Sequence, residues 1–124
     1  MNSIEHFING KTVKGSSKRT AKVFNPATGE VSSNVNLANT NDLNKAVDAA
    51  TKAFPNWSQK TPLFRARILF KFKELIEKNY DELTKIIVSE HGKVYEDAKG
   101  SLTRGLEAVE FSCGIPQILK GEFT

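Results

Sequence analysis

The chain has 124 residues, of which 39% are hydrophobic and 26% are charged, with a formal net charge of +4. This composition is typical of one modest globular domain, and no apolar run reaches the length of a membrane span. A single cysteine excludes an internal disulfide, and the wide spacing of His6 and His91 argues against a zinc site. Since the start lacks the features of a secretory signal, we expect a cytoplasmic chain with no metal and no membrane partner.

The excess of basic over acidic residues by itself would favour nucleic-acid binding, but the distribution of these charges along the chain argues against it. Five basic residues between positions 11 and 22 lie in a region rich in turn residues, where only Glu5 opposes them. From residue 74 onward acidic and basic residues alternate, as they do on solvated helix faces. We therefore expect no nucleic-acid partner.

Residues 1–39 have the pattern of three or four strands joined by turns. Asn9 and Gly10 form the dipeptide that most readily adopts a type I′ turn, so they predict a hairpin. Pro26 and Gly29 favour a turn between two further strands. Residues 31–37 carry Val, Ser, Val and Leu at every second position, as a half-buried strand does. Because these strands have no obvious sheet to join, the chain is expected to be the front part of something larger.

Residues 40–119 have helical periodicity and predict four helices. Thr40 or Asn41 is expected to cap the first helix, and Pro55 to end it. The second helix is expected to begin near Pro62, and Gly92 to stop the third. Each helix has an apolar face that is predicted to point inward. These faces comprise Leu43, Ala46, Val47, Ala50 and Phe54 in the first helix, Arg65, Ile68, Leu69, Phe72, Leu75 and Ile76 in the second, Leu83, Ile86 and Ile87 in the third, and Ala98, Leu102, Leu106, Val109 and Cys113 in the fourth.

Most residues capable of chemistry have ordinary structural explanations. Cys113 lies on an apolar stripe beside Glu110, so burial and an acidic neighbour disfavour the thiolate, and we expect a packing role. His6 and His91 are expected to be structural or exposed. The sequence has no glycine-rich phosphate loop of the GxGxxG or Walker type. It therefore names no catalytic, metal-binding or cofactor-binding residue.

Arg104 allows two explanations. Glu107 lies three residues further along the same helix, so a surface ion pair would account for both side chains. However, Gly105 costs about 1 kcal/mol relative to alanine inside a helix, and Gly100 lies one turn before Arg104. Two small residues around an arginine let a ligand approach closely, and the planar guanidinium suits a carboxylate.

Several runs, in this order and at these spacings, resemble the N-terminal part of the aldehyde dehydrogenase superfamily: "VFNPATGEV", "AFPNWS" and "RARILFKFKELIEKN". The run "SEHGKVYEDAKGSLTRGLEAVEFSCGIPQILKGE" is similar to the methylmalonate-semialdehyde dehydrogenase branch. The resemblance covers essentially the whole chain. It implies an α/β fold of aldehyde dehydrogenase type, with residues 1–124 as the opening part of the NAD-binding domain. A few N-terminal strands would be followed by about four helices.

The resemblance also implies the activity of the complete enzyme. Members of this branch serve valine catabolism and convert methylmalonate or malonate semialdehyde to an acyl-CoA, with NAD and coenzyme A as cosubstrates. They use a cysteine nucleophile and assemble as homo-oligomers, either dimers or tetramers. The arginine of the "RGLE" run is understood to hold the substrate carboxylate together with a second arginine from the catalytic domain. That role corresponds to Arg104 here.

Enzymes of this class are much longer than this chain, so parts of the machinery are expected elsewhere. The nucleophilic cysteine, the oxyanion-hole asparagine, and the catalytic and oligomerisation domains are all expected outside residues 1–124, and Cys113 does not match the nucleophile's motif. The chain alone is expected to bind neither NAD nor coenzyme A tightly. The alternative is a free-standing, non-catalytic helical interaction module derived from the same family.

Overall fold

The computed structural model describes residues 2–122 and divides the chain into two compact units, Met1–Gln59 and Lys60–Thr124. The first unit contains the strands and one helix, and the second unit is helical. Strands followed by helices is the order that the sequence predicts. None of the helices in the described part of the chain is long and apolar enough to cross a membrane.

The first unit has two small sheets. Its described strands are β1 (Asn2–Ile4), β2 (His6–Ile8), β3 (Lys11–Val13), β4 (Thr20–Phe24) and β5 (Val31–Asn36). One sheet has the order β1-β5-β4, with β1 parallel and β4 antiparallel to β5, while β2 and β3 form an antiparallel pair. The early strands therefore do have a sheet to join, contrary to expectation. The sequence missed β1 because a three-residue strand has too few positions to show alternation.

The two predicted turns are confirmed. Asn9 and Gly10 have φ values of 54° and 73°, as a type I′ turn requires, and they connect β2 to β3. Between β4 and β5, Gly29 has a φ of 74° and donates its N–H to the carbonyl of Asn25 at 2.8 Å. Glycine tolerates this left-handed conformation because it has no Cβ.

Helix α1 (Thr40–Ser58) departs from the prediction at both ends. Its N-cap is Asn39, whose side chain accepts the N–H of Asp42 while the Asp42 carboxylate accepts the N–H of Asn39. The predicted caps, Thr40 and Asn41, were wrong by one or two residues. Pro55 lies inside the helix rather than at its end, because a proline in the last turn removes only one hydrogen bond.

The apolar face predicted for α1 is largely exposed. Leu43, Val47 and Phe54 are 59%, 53% and 66% exposed, so the expectation that they point inward is wrong for this chain. The periodicity identified a helix with one apolar side, but periodicity cannot say what covers that side.

The second unit is built around a central helix. Its elements are α2 (Pro62–Lys78), α3 (Tyr80–His91), α4 (Tyr95–Cys113) and the short α5 (Ile115–Ile118). Helix α4 contacts each of the other three. Its predicted inward stripe is confirmed, since Ala98 and Cys113 are buried and the residues between them on that stripe are half-buried. Thr84 of α3 is fully buried and donates its hydroxyl to the carbonyl of Tyr80 at 2.8 Å.

Helix α2 begins as predicted, and its predicted inward face is right only in part, since Arg65, Leu69 and Ile76 are half-buried. Thr61 caps it by accepting the N–H of Phe64 at 3.2 Å, and Pro62 occupies the first turn. The buried residue is Ala66, whereas Ile68 and Leu75 of the predicted face are 44% and 45% exposed. A small side chain allows a neighbouring helix to approach closely, so packing as well as hydrophobicity selects the buried face.

One lysine of α2 bridges two helices. Lys73 is half-buried, and its ammonium pairs with Glu77 of its own helix and with Glu110 of α4, the latter at 3.1 Å. These carboxylates raise the pKa of Lys73, with the hydrogen bond to Glu77 as the largest cause. A long lysine can bury its stem and still keep its charged end paired.

Candidate functional site

The turn between α3 and α4 positions the first residue of the candidate site. Gly92 ends α3 with a φ of 75° and donates its N–H to Val88, as the sequence predicts. Val94 is the N-cap of α4, and its carbonyl accepts the N–H of Ala98 at 3.1 Å. Lys93 lies between these two fixed residues, so its backbone has little freedom. Its side chain is half-buried and reaches Ser101, two turns into α4.

Arg104 lies on the same helix and extends back toward the helix N-terminus. Its Nη2 donates to the Ser101 hydroxyl at 3.3 Å, and its Nη1 lies 3.6 Å from the point that a Cβ on Gly100 would occupy. This direction follows from helix geometry, because helical side chains tilt toward the preceding turn. The guanidinium is therefore held at one edge by Ser101, while the residue as a whole is exposed.

The predicted ion pair between Arg104 and Glu107 is wrong. Within residues 2–122, no carboxylate oxygen lies within 4.0 Å of the Arg104 guanidinium. Since Arg104 extends toward Ser101, it points away from Glu107, which lies on the next turn. Further along α4, Glu110 pairs with Lys73 of α2.

Ser101 joins the two cationic side chains. Its hydroxyl accepts from Lys93 Nζ at 2.8 Å and from Arg104 Nη2 at 3.3 Å, and donates to the carbonyl of Asp97 at 3.1 Å. A hydroxyl has one proton and two lone pairs, so these three bonds use its full capacity. The sequence pointed to Arg104 but missed Lys93 and Ser101. The available signal was the position of Lys93 directly after a helix-stopping glycine.

Two positive charges without a nearby negative one can attract an anion. Across the described part of the chain, Lys93, like Arg104, has no carboxylate oxygen within 4.0 Å. By contrast, Lys71, Lys73 and Lys85 of the same unit each have an acidic partner. A guanidinium with free N–H donors is suited to a carboxylate or a phosphate.

The cysteine and the two histidines considered in the sequence analysis do not join the cluster around Arg104. Cys113 is 7% exposed and lies in the core of the helical unit, which confirms the predicted packing role. His91 is exposed in the last turn of α3. His6 belongs to the other unit, where its Nε2 is buried and lies 2.6 Å from the point that a Cβ on Gly15 would occupy. Among residues 2–122 no cluster of three potential metal ligands is found.

Comparison with known proteins identifies the family. Residues 12–124 match the sequence model of the aldehyde dehydrogenase family. The chain belongs to the aldehyde dehydrogenase family. This family member is 48% identical, over its full length, to a malonate-semialdehyde dehydrogenase of Pseudomonas aeruginosa and covers 25% of that protein. It is 42% identical to a malonate-semialdehyde dehydrogenase of Halalkalibacterium halodurans, with 96% of the chain and 24% of the relative covered.

Solved aldehyde dehydrogenases share the fold. A Sinorhizobium meliloti 1021 protein described as a methylmalonate-semialdehyde dehydrogenase, solved with NAD, has a TM-score of 0.94 at 48% identity, covering 100% of this chain and 25% of its own. Lactaldehyde dehydrogenase of Escherichia coli has a TM-score of 0.88 at 27% identity, covering 98% and 26%. The predicted family and fold class are confirmed. This aldehyde dehydrogenase chain spans about a quarter of the length of the curated relatives that it matches.

Proposed function

We propose that these 124 residues form the N-terminal segment of a CoA-acylating dehydrogenase that oxidises malonate or methylmalonate semialdehyde with NAD. In this proposal Arg104 binds the carboxylate of the semialdehyde, and residues outside the segment carry the chemistry. The substrate class is supported by the names of the relatives, which are malonate- and methylmalonate-semialdehyde dehydrogenases. The complete enzyme would be a cytoplasmic homo-oligomer.

The observation that carries the proposal is the state of the Arg104 guanidinium. It has no carboxylate partner in the described chain, one edge is fixed by Ser101, and Gly100 leaves the space beside it free of a side chain. An arginine held in this way keeps donors available for two parallel hydrogen bonds to a carboxylate. Gly105 adds to the open surroundings, because a Cβ there would meet nothing within 4 Å.

The turn between β5 and α1 does not have the features of a pyrophosphate site for NAD. β5 leads into α1 through Leu37, Ala38 and Asn39, so the turn lacks the glycine that would let backbone N–H groups approach a pyrophosphate. The N-terminus of α1 is also occupied by the carboxylate of Asp42, which would repel a phosphate. We therefore assign no residue of this segment to NAD or to coenzyme A.

Substitution of Arg104 in the complete enzyme tests the proposal. Arg104→Leu should lower kcat/KM for malonate semialdehyde by roughly 30- to 1,000-fold, equivalent to about 2 to 4 kcal/mol, because a charge-assisted contact is lost. The same change should alter kcat/KM for propanal little, since propanal has no carboxylate. Arg67→Leu, which removes an equal charge from an exposed position on α2, is the matched control. Equal losses for both aldehydes would remove Arg104 from substrate binding.

A second function, a non-catalytic helical interaction module, is favoured by one observation. Phe64, Ile68 and Phe72 of α2 follow one another at intervals of four residues, are 45%, 44% and 49% exposed, and form a contiguous apolar strip that a partner could cover. Such a module should unfold in one cooperative transition and remain monodisperse. A broad transition with dye-binding apolar surface would instead favour a segment that needs the rest of the enzyme to cover it.

A further inference from the structure

The Ser101 hydroxyl is the point at which two like charges meet. Lys93 Nζ and Arg104 Nη2 donate to the same oxygen, at 2.8 Å and 3.3 Å. The hydroxyl proton is committed to the carbonyl of Asp97, so both lone pairs face the cations. Ser101 therefore fixes the position of one edge of the Arg104 guanidinium and couples it to Lys93.

This arrangement places two like charges close together, and neither has a direct ion pair in the described part of the chain. Two cations repel each other, and Lys93 also lies beside the N-terminal, positive end of α4. No carboxylate oxygen in the described part of the chain is within 4.0 Å of either cation. The acids of the first turn, Glu96 and Asp97, are exposed, and Glu96 lies 3.9 Å from Lys99. An anion bound at the guanidinium would relieve this repulsion.

The geometry of the turn explains why Lys93 reaches Ser101. Gly92 reverses the chain with a left-handed φ of 75°, and Val94 starts α4 as its N-cap. Lys93 is fixed between them, with its side chain half-buried along the first two turns of the helix. A lysine stem that is partly buried loses rotamer freedom on folding, and the bond to Ser101 offsets part of that loss.

We infer that Lys93 and Ser101 are specificity-determining positioning residues that orient Arg104 and strengthen its preference for a semialdehyde that carries a carboxylate. Ser101 fixes the orientation of the guanidinium. Lys93 fixes Ser101, so that its effect on the substrate carboxylate passes through the guanidinium. This inference rests on the proposed role of Arg104 and extends it to two residues that touch neither the aldehyde carbon nor a cofactor.

The test is a set of single and double variants of the complete enzyme assayed with malonate semialdehyde and propanal. Lys93→Met and Ser101→Ala should each lower the ratio of kcat/KM for malonate semialdehyde to that for propanal by about 10-fold, mainly through KM, because the contact is present before the chemical step. Lys93→Arg, which keeps the positive charge, should retain most of the wild-type ratio. Lys99→Met is the matched control, because it removes an equal charge from α4 at a side chain that pairs with Glu96, and it should change the ratio less than about 2-fold.

A double variant of Lys93 and Arg104 distinguishes a positioning role of Lys93 from a purely structural one. In an Arg104→Leu background, Lys93→Met should change the ratio by less than about 2-fold, because its effect acts through the guanidinium. Propanal turnover in every preparation shows that the enzyme is folded. Should Arg104→Leu alter the ratio while Lys93→Met and Ser101→Ala do not, the inference fails and the proposed function stands. An unchanged ratio in Arg104→Leu itself would overturn both.

Discussion

The carboxylate of Asp42 accepts both the backbone N–H and the hydroxyl of Ser16, with N–Oδ1 at 2.9 Å and Oγ–Oδ1 at 2.8 Å. The same carboxylate accepts the N–H of Asn39 at 3.2 Å and is 4% exposed. It therefore joins the segment after β3 to the first turn of α1, across 26 residues of sequence. The N–H of Ser16, followed by that of Asn39, lowers the pKa of Asp42 from 3.8 to about 2.

This contact predicts an acid-sensitive link in the first unit. Because the pKa of Asp42 is lower in the folded state, the link is fully present above pH 3.8 and is lost as the pH falls toward 2. The amide resonance of Ser16, which reports its hydrogen bond, should titrate with a midpoint near pH 2. In Asp42→Asn this titration should be absent, whereas Asp48→Asn, an exposed change on the same helix, should leave it intact. A midpoint near 3.8 would contradict the contact.

Two glycines of the second unit should respond to alanine with opposite signs. Gly92 has a φ of 75°, so Gly92→Ala should destabilise the protein by about 1 kcal/mol. Gly105 lies within α4, and a Cβ there would meet nothing within 4 Å, so Gly105→Ala should stabilise by up to about 1 kcal/mol. Urea unfolding of both variants measures the difference. Destabilisation by both would show that the surroundings of Gly105 are not open.

The 124 residues alone should not oxidise aldehydes. Their single cysteine, Cys113, is 7% exposed among the packed helices, and a nucleophilic thiol needs access and a base to activate it. The purified segment with malonate semialdehyde, NAD and coenzyme A should produce no NADH, whereas the proposed function requires that the complete enzyme produce it. NADH formation that disappears in Cys113→Ser would show that this cysteine is the nucleophile after all.

The sequence predicted most of the turns and helix ends that depend on the backbone preferences of single residues. The turn at Asn9 and Gly10, the start of α2 at Pro62 and the stop of α3 at Gly92 all follow from residues whose backbone preferences are strong. The continuation of α1 past Pro55 was not predicted. The residues around a proline do not show whether it lies in the last turn of a helix or just after the helix ends.

What depends on contacts between elements could not be predicted in the same way. The apolar faces of α1 and α2 were recognised as faces, but Phe54 and Phe72 are exposed, because periodicity does not reveal which neighbour is present. At the candidate site, Arg104 was predicted from its flanking glycines and its family motif, and its role stays a prediction. Lys93 was missed because its partner, Ser101, is eight residues away and is reached only through the geometry of the turn at Gly92.

The most direct test of the central claim is a crystal structure of the complete enzyme with malonate, a dicarboxylate that resembles the proposed substrate but has no aldehyde to react. We expect two oxygens of one malonate carboxylate to lie within about 3 Å of the Arg104 guanidinium nitrogens, with Ser101 still bonded to Nη2. Malonate bound at another residue, with Arg104 facing solvent, would contradict it.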